Sequence, residues 1–411
     1  MSVVSNLTIL SLSCQINSFS PLFSIASSTF NNKISFQCAK FQNFYAQFYY
    51  SSQQNNNLYI SSCAFLHFLD RAIQINKNQY YNKTFFNFFS PIREKYDETV
   101  IRNCIFCGIK SFHFKGGALL CFGHLKVKNS EFLKCTTHGY GVIASYSLIS
   151  VENTVFYKVT SLFTSSIFSD SKYNETFLVK GNLFNRCNSE ICLGIIYRPS
   201  LSDDFEYSYN NLSSISSKGD YGAIIVNQSK TYFSYSIISN VEGPNFNSGI
   251  FIESNFFTKI ESCIFCNLSR TSEDSNFGIA LQIMINQNPS FISNCIFGEM
   301  LSFAPILFCS YNNILVDNSC FFQKRENIVF LPFFEFVNCT YDTYCYIENN
   351  IRLFTNFRKE IITETKSMNV TYNRNNLEYD LYLHFPFLLV LFFLILYYSR
   401  TVFVDLIIFC F

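Results

Sequence analysis

The chain is 411 residues long, 49% hydrophobic and only 14% charged, with 50 Phe, 17 Cys and no Trp. Such length and apolar content suffice for a large core. Net charge is +1 with both signs dispersed, so no basic groove for nucleic acid is visible and nothing favours a polyanionic partner.

At the N-terminus no Lys or Arg precedes Lys33, and the apolar run Leu7 to Leu12 is interrupted by Thr and Ser, so no secretory leader is recognised. Residues 1–33 read as a partial rung or cap, with Ser13-Cys14-Gln15-Ile16 resembling a piece of the repeat that follows.

From 34 to 325 one phrase recurs about every 26 residues. It stands as Ile60-Ser61-Ser62-Cys63-Ala64-Phe65, Ile101-Arg102-Asn103-Cys104-Ile105-Phe106, Val127 to Phe132, Val151 to Phe156 and Val179 to Phe184. Later copies run Ile260 to Phe265, Ile292 to Phe297 and Val316 to Phe321, with weaker starts at Ile34, Tyr207 and Phe233. Apolar residues fall at the leading position and then three, five and eight residues on, which is neither a helical period nor plain alternation. Two after the lead stands a residue such as Asn103, Asn129, Asn153 or Gly181, types that tolerate a left-handed backbone. One such residue between two short strands turns a corner and resets which side chains point inward. A second strand opened by glycine follows, as at Gly116, Gly139, Gly194, Gly222, Gly249 and Gly278.

Units of this length cannot bury an apolar face alone, and stacking them makes one core. The expected fold is therefore all-β, a right-handed parallel β-helix of about ten or eleven rungs, roughly 50 Å long at 4.8 Å per rung. Phe at position five of the unit predicts a buried ladder of rings, so the Phe excess reads as core filling. Position three alternates Cys with Ser, Thr and Asn, which reads most cysteines as small buried thiols. Cys339 and Cys345, off the ladder, are the best disulfide candidates.

Three constellations imitate chemistry. Cys104, Cys107, Cys121 and His124 have a spacing close to a structural zinc module, but Cys104 and Cys107 recur in phase as Cys263 and Cys266 with no second pair, so no metal site is assigned. Asp203-Asp204 is an adjacent acid pair in the repeat outside the 269–277 loop, and His138-Gly139 precedes it. A galacturonase-like site needs several carboxylates converging on adjacent rungs, and a lyase needs a basic residue beside calcium-binding acids; neither stack is visible. No catalytic residue, cofactor or metal ligand is assigned. The insertions at 69–100 and 269–277 are long loops on a rigid scaffold, where recognition is commonly placed.

Residues 326–380 read as a cap and polar stalk, and 381–398 as a transmembrane helix about 27 Å long, closed by Tyr397, Tyr398 and Arg400. A short tail, 399–411, completes the chain, with the rod expected outside the plasma membrane.

Gly116-Gly117-Ala118, the related glycine-opened strands and the repeated Asn-Cys-x-Phe phrases resemble the β-helix surface proteins related to polymorphic outer-membrane proteins, including large families in parasitic protists. That resemblance implies a surface-displayed rod engaged in adhesion, with host or matrix glycans or proteins as partners. The expectation is thus a non-enzymatic, membrane-anchored surface protein. A polysaccharide-active β-helix enzyme and a purely structural coat protein are the alternatives.

Overall fold

Four inward positions per unit can meet one core only if the chain turns after each short strand, and the backbone does so. In the computed structural model each unit is one turn of a parallel β-helix, and every strand pairs with the equivalent strand of the turns before and after it. The structure describes residues between 6 and 342, apart from 77–97 and shorter stretches that include 26–31, 170–176, 199–203 and 271–277. Residues Met1–Ile351 form one unit and Arg352–Phe411 a second, none of which is described.

Three sheets line the coil. The first has thirteen strands, from Asn6–Leu10 to Phe334–Val337; the second has sixteen; the third has eleven, from Phe23–Ile25 to Leu307–Cys309. Parallel pairing therefore continues beyond 34–325 at both ends, and Ser13–Gln15 pairs with Lys40–Gln42 in the second sheet. The helical element among the described residues is a single short turn, Arg325–Asn327.

Register follows the sequence phrase. Ile101 pairs with Ile60 and Val127, and the ladder continues through Val151, Val179, Tyr207, Phe233, Ile260, Ile292 and Val316. One start is displaced: Ile34 pairs with Leu58, so the lead of its turn is Phe36, which pairs with Ile60. Both Ile34 and Phe36 are buried, and alternation along one strand makes them equally plausible leads. The left-handed residue fixes the choice, because it is Cys38, two after Phe36, at φ 52°.

Every turn from that one on carries a left-handed residue two after its lead: Ser62, Asn103, Asn129, Asn153, Gly181, Tyr209, Tyr235, Ser262, Asn294 and Asn318. A second left-handed corner comes seven after the lead, at Asn43, His67, Gly108, Lys134, Lys158, Arg186, Ser214, Asn240 and Asn267. No residue type marks that corner in the sequence. Long side chains there cost roughly 1–2 kcal/mol of backbone strain each and persist because the backbone around them is pinned by neighbouring turns. The amides of Lys134 and Lys158, for instance, donate to Tyr157 O at 2.8 Å and Asn185 O at 3.1 Å.

The corner carbonyl one after each lead accepts the amide of the left-handed residue in the preceding turn, as Lys128 O does from Asn103 N–H at 3.1 Å, and position three adds a second donor to it. Ser130 Oγ donates to Lys128 O at 2.9 Å, Thr154 Oγ1 to Glu152 O at 3.0 Å, and Cys104 Sγ to Arg102 O at 3.1 Å. Cys63, Cys263, Cys295 and Cys339 make the same bond to the carbonyl two residues back. Cys, Ser and Thr share small size and a donor there, Asn182 and Asn210 donate instead to the preceding turn, and buried Ala39 fills the position in the turn led by Phe36 without a donor. In mid-rod the side chains also link turns: Thr154 N–H donates to Asn182 Oδ1, Asn182 N–H to Asn210 Oδ1, both at 2.8 Å, and Asn210 N–H to Ser236 Oγ at 3.2 Å.

This geometry corrects the expected pairing of Cys339 with Cys345. Cys339 is three after Phe336, on the ladder, and is a free thiol with its Sγ engaged by Val337 O and Val316 O. Cys320, four after its lead and half-buried, is the disulfide-bonded residue. Position four points away from the corner carbonyl, so its sulfur is free to bond covalently.

The core is filled by the expected ring ladder. Phe65, Phe106, Phe132, Phe156 and Phe184 are fully buried, with successive centroids 4.8, 4.8, 5.1 and 4.8 Å apart and planes within 10°. Phe265, Phe297 and Phe321 resume it at 5.1 and 4.7 Å. Between them position five becomes Leu212 and Ile238, and there the lead becomes Tyr207 and Phe233. The ring has moved across the core to the first sheet, which conserves packed volume.

Two outcomes follow. Replacing Asn182→Leu removes the partners of Thr154 N–H and Val151 O, and chemical denaturation should show a loss of about 2–4 kcal/mol. The buried Tyr207 hydroxyl has no hydrogen-bond partner among the described residues, so Tyr207→Phe should gain about 1 kcal/mol; a loss would contradict this assignment.

Candidate binding faces of the rod

Because alternate strand residues face opposite ways, residues one and three before each lead form outward columns on the first sheet. Across the turns from 98 to 152 these columns pair Lys126 with Glu98 at 2.6 Å, and the outward column one after the lead pairs Lys128 with Glu152 at 2.9 Å. Burial raises the Glu152 carboxyl, but hydrogen bonds from Lys128 and Ser150 outweigh it and hold the pKa below the ordinary value. These partly exposed pairs mainly fix the register of solvent-facing side chains.

Further along, the same columns turn aromatic. Tyr232 and Phe291 are 37% and 39% exposed, with half-buried Phe257 between them; centroid distances are 5.8 and 6.0 Å and planes are tilted by 50° and 48°. Lys259, beside Phe257, is held by Glu261 at 2.7 Å. On the adjoining corner Tyr209 and Tyr235 stack at 5.0 Å, and Lys180 Nζ lies 5.8 Å from the Tyr209 ring. Two tyrosines in left-handed conformation are costly, and stacking against each other offsets part of that cost. Around the next corner a groove of about 550 Å³ runs past Ser214, Asn240 and Asn267.

The residues that imitate a zinc module are dispersed by the fold. Cys104 lies inside the first corner, Cys107 faces outward on the second sheet, Cys121 sits in the third sheet with its Sγ 3.7 Å from Thr99 Oγ1, and His124 opens a first-sheet strand. Among the described residues no group of three or more His, Cys, Asp or Glu is placed to hold a metal ion. Asp204 is exposed and in register with Lys230, and Asp203 lies outside the described residues. His138 is elsewhere, stacked on exposed Phe112 at 5.0 Å. The fold thus does not bring His138 to Asp204.

Most of the loop 69–100, the tip 271–277 and the 381–398 segment lie outside the described residues; among those described, no helix is long and apolar enough to cross a membrane. The aromatic strip was not anticipated, since the Phe and Tyr excess reads as core. The available signal was phase: Tyr232 and Phe291 stand one before a lead, an outward position. Compared with known protein families, curated proteins and solved structures, the chain matches none.

The thiols are structural in placement. Cys135 Sγ contacts Phe106 O and Leu133 O, and Cys187 Sγ contacts Phe156 O and Asn185 O. Complete burial pushes both thiols up to about 12, against 9.0 ordinarily. Folded thiols therefore stay protonated where unfolded ones ionise, so stability is full below pH 9 and falls as pH rises toward 12. Unfolding free energies from urea titrations between pH 9 and 11 should decline by roughly 1.4 kcal/mol per pH unit for each thiol. A Cys135→Ala, Cys187→Ala double variant should have a shallower slope, the remainder coming from other buried thiols such as Cys104 and Cys295; an unchanged slope would rule out Cys135 and Cys187 as contributors.

Proposed function

We propose that the protein is a membrane-anchored surface rod that binds ligands along its outer faces and does no chemistry on them. In this reading a right-handed β-helix, the handedness that crossovers between parallel strands almost always take, stands outside the plasma membrane on the 381–398 helix. It is similar in role to the β-helix surface proteins of parasitic protists. The observation that carries the reading is the aromatic strip Tyr232, Phe257, Phe291 on a flat sheet face. Partly exposed rings fixed on a rigid strand offer contact area at little entropic cost. Repetition supplies length and stiffness, and the outward columns can vary without disturbing the core.

A polysaccharide-active enzyme is the second reading, favoured by Asp204 and Glu206, two exposed carboxylates on one strand opposite Lys230 and Tyr232. Loss of activity on acidic polysaccharide in Asp204→Ala would support it.

An epitope inserted in the 269–277 loop of the full chain should be cleaved by protease on intact cells without lysis; protection would overturn the surface reading. Tyr232→Ala with Phe291→Ala should reduce attachment of the displayed rod at least tenfold while leaving thermal unfolding unchanged, since both side chains are outward.

A further inference from the structure

The second corner of each turn changes character along the rod. In its middle the left-handed residue is long and basic, Lys134, Lys158 and Arg186; in the next three turns it is Ser214, Asn240 and Asn267. Two residues further on stand Ser216, Glu242 and Ser269, which follow one another in register on strands Asn211–Ser217, Ile237–Gly243 and Ile264–Arg270. Short side chains in both columns open the groove of about 550 Å³ over the strand backbone at Ile215 and Val241, whose side chains are buried in the core. It crosses three turns, about 10 Å from first to last at 4.8 Å per step.

Its chemistry alternates donors and acceptors. Asn267 Nδ2 donates to Asn240 Oδ1 at 3.1 Å, which fixes both amides and leaves the Asn240 amide N–H and the Asn267 Oδ1 for a ligand. The hydroxyls of Ser214, Ser216 and Ser269 and the Glu242 carboxylate bond no other described side chain. Glu242 is the one charged residue among those lining the groove, so an anionic ligand is repelled there. A peptide adding as a strand has no free edge here, because each of these strands is paired through the sheet.

We infer that this groove binds an uncharged oligosaccharide laid along the rod axis, about three sugars long. The hydroxyl and amide columns exchange hydrogen bonds with sugar hydroxyls, and Glu242 accepts a charge-assisted one. The inference rests on the reading of the rod as a binding scaffold but uses a site separate from the aromatic strip, so the two can fail independently.

The experiment is saturation-transfer NMR and titration of the full chain, held in a sugar-free detergent, with cellotriose, maltotriose and triacetylchitotriose, and with trigalacturonate as the anionic control. Saturable binding of a neutral trisaccharide is expected, lost at least tenfold in Ser216→Tyr, which fills the groove, and weakened about fivefold in Glu242→Gln, with Lys126→Ala, remote from both faces, unchanged. Ser216 is partly exposed on the outer face, so the thermal transition of Ser216→Tyr should match the parent and exclude misfolding. No neutral binding, or preference for trigalacturonate, overturns the inference. Binding lost in Tyr232→Ala but kept in Ser216→Tyr overturns it too, while leaving the scaffold reading intact.

Discussion

A parallel, in-register stack brings each position of one turn within about 4.8 Å of the same position in the next, and that constraint governs the rest of this structure. Whatever suits a position must suit being repeated against itself. Flat rings do so by offset stacking, which is why Phe recurs at position five with nearly coplanar neighbours. Amides do so by donating to one neighbour and accepting from the other, as in the Thr154, Asn182, Asn210 and Ser236 series. Charges do so with alternating sign, as Lys128 shows beside Glu152, or at an exposed corner where like charges are solvated, as with Lys134, Lys158 and Arg186.

The corner is the costly part of each turn. A left-handed residue bends the chain, and the carbonyl beside it accepts an amide from the preceding turn. The small donor that follows gives that carbonyl a second bond, and a thiol serves as well as a hydroxyl there while adding apolar volume. This explains a cysteine content that otherwise suggests an oxidised, cross-linked domain. Twelve described cysteines are free, and eight of those are buried. The core can also trade volume between sheets: a ring lost at Leu212 and Ile238 reappears at Tyr207 and Phe233, so the interior stays filled as the local pattern shifts.

With the interior this constrained, individuality is left to the outer columns. In the first half of the rod these columns carry ion pairs and long basic corner residues; in the second half they carry exposed rings and a hydroxyl-lined groove. Both candidate faces lie on the same turns, from 204 to 297, so one segment of the scaffold holds the ligand-like surface.

The sequence by itself determined the coil, because stacking demands repetition and repetition is visible without coordinates: the leads from Ile60 to Val316, the left-handed Asn and Gly, and the Phe ladder all stand in plain text. It was ambiguous where two inward residues share a strand, as with Ile34 and Phe36. It was silent about the second corner, where Lys134, Arg186 and His67 adopt a conformation that their side chains do not prefer. Only the tertiary structure decided that corner, since the backbone of neighbouring turns imposes it. The same holds for the free state of Cys339 and for the strip and groove. Surface neighbours on different turns are some 26 residues apart in sequence, and their meeting depends on register and phase.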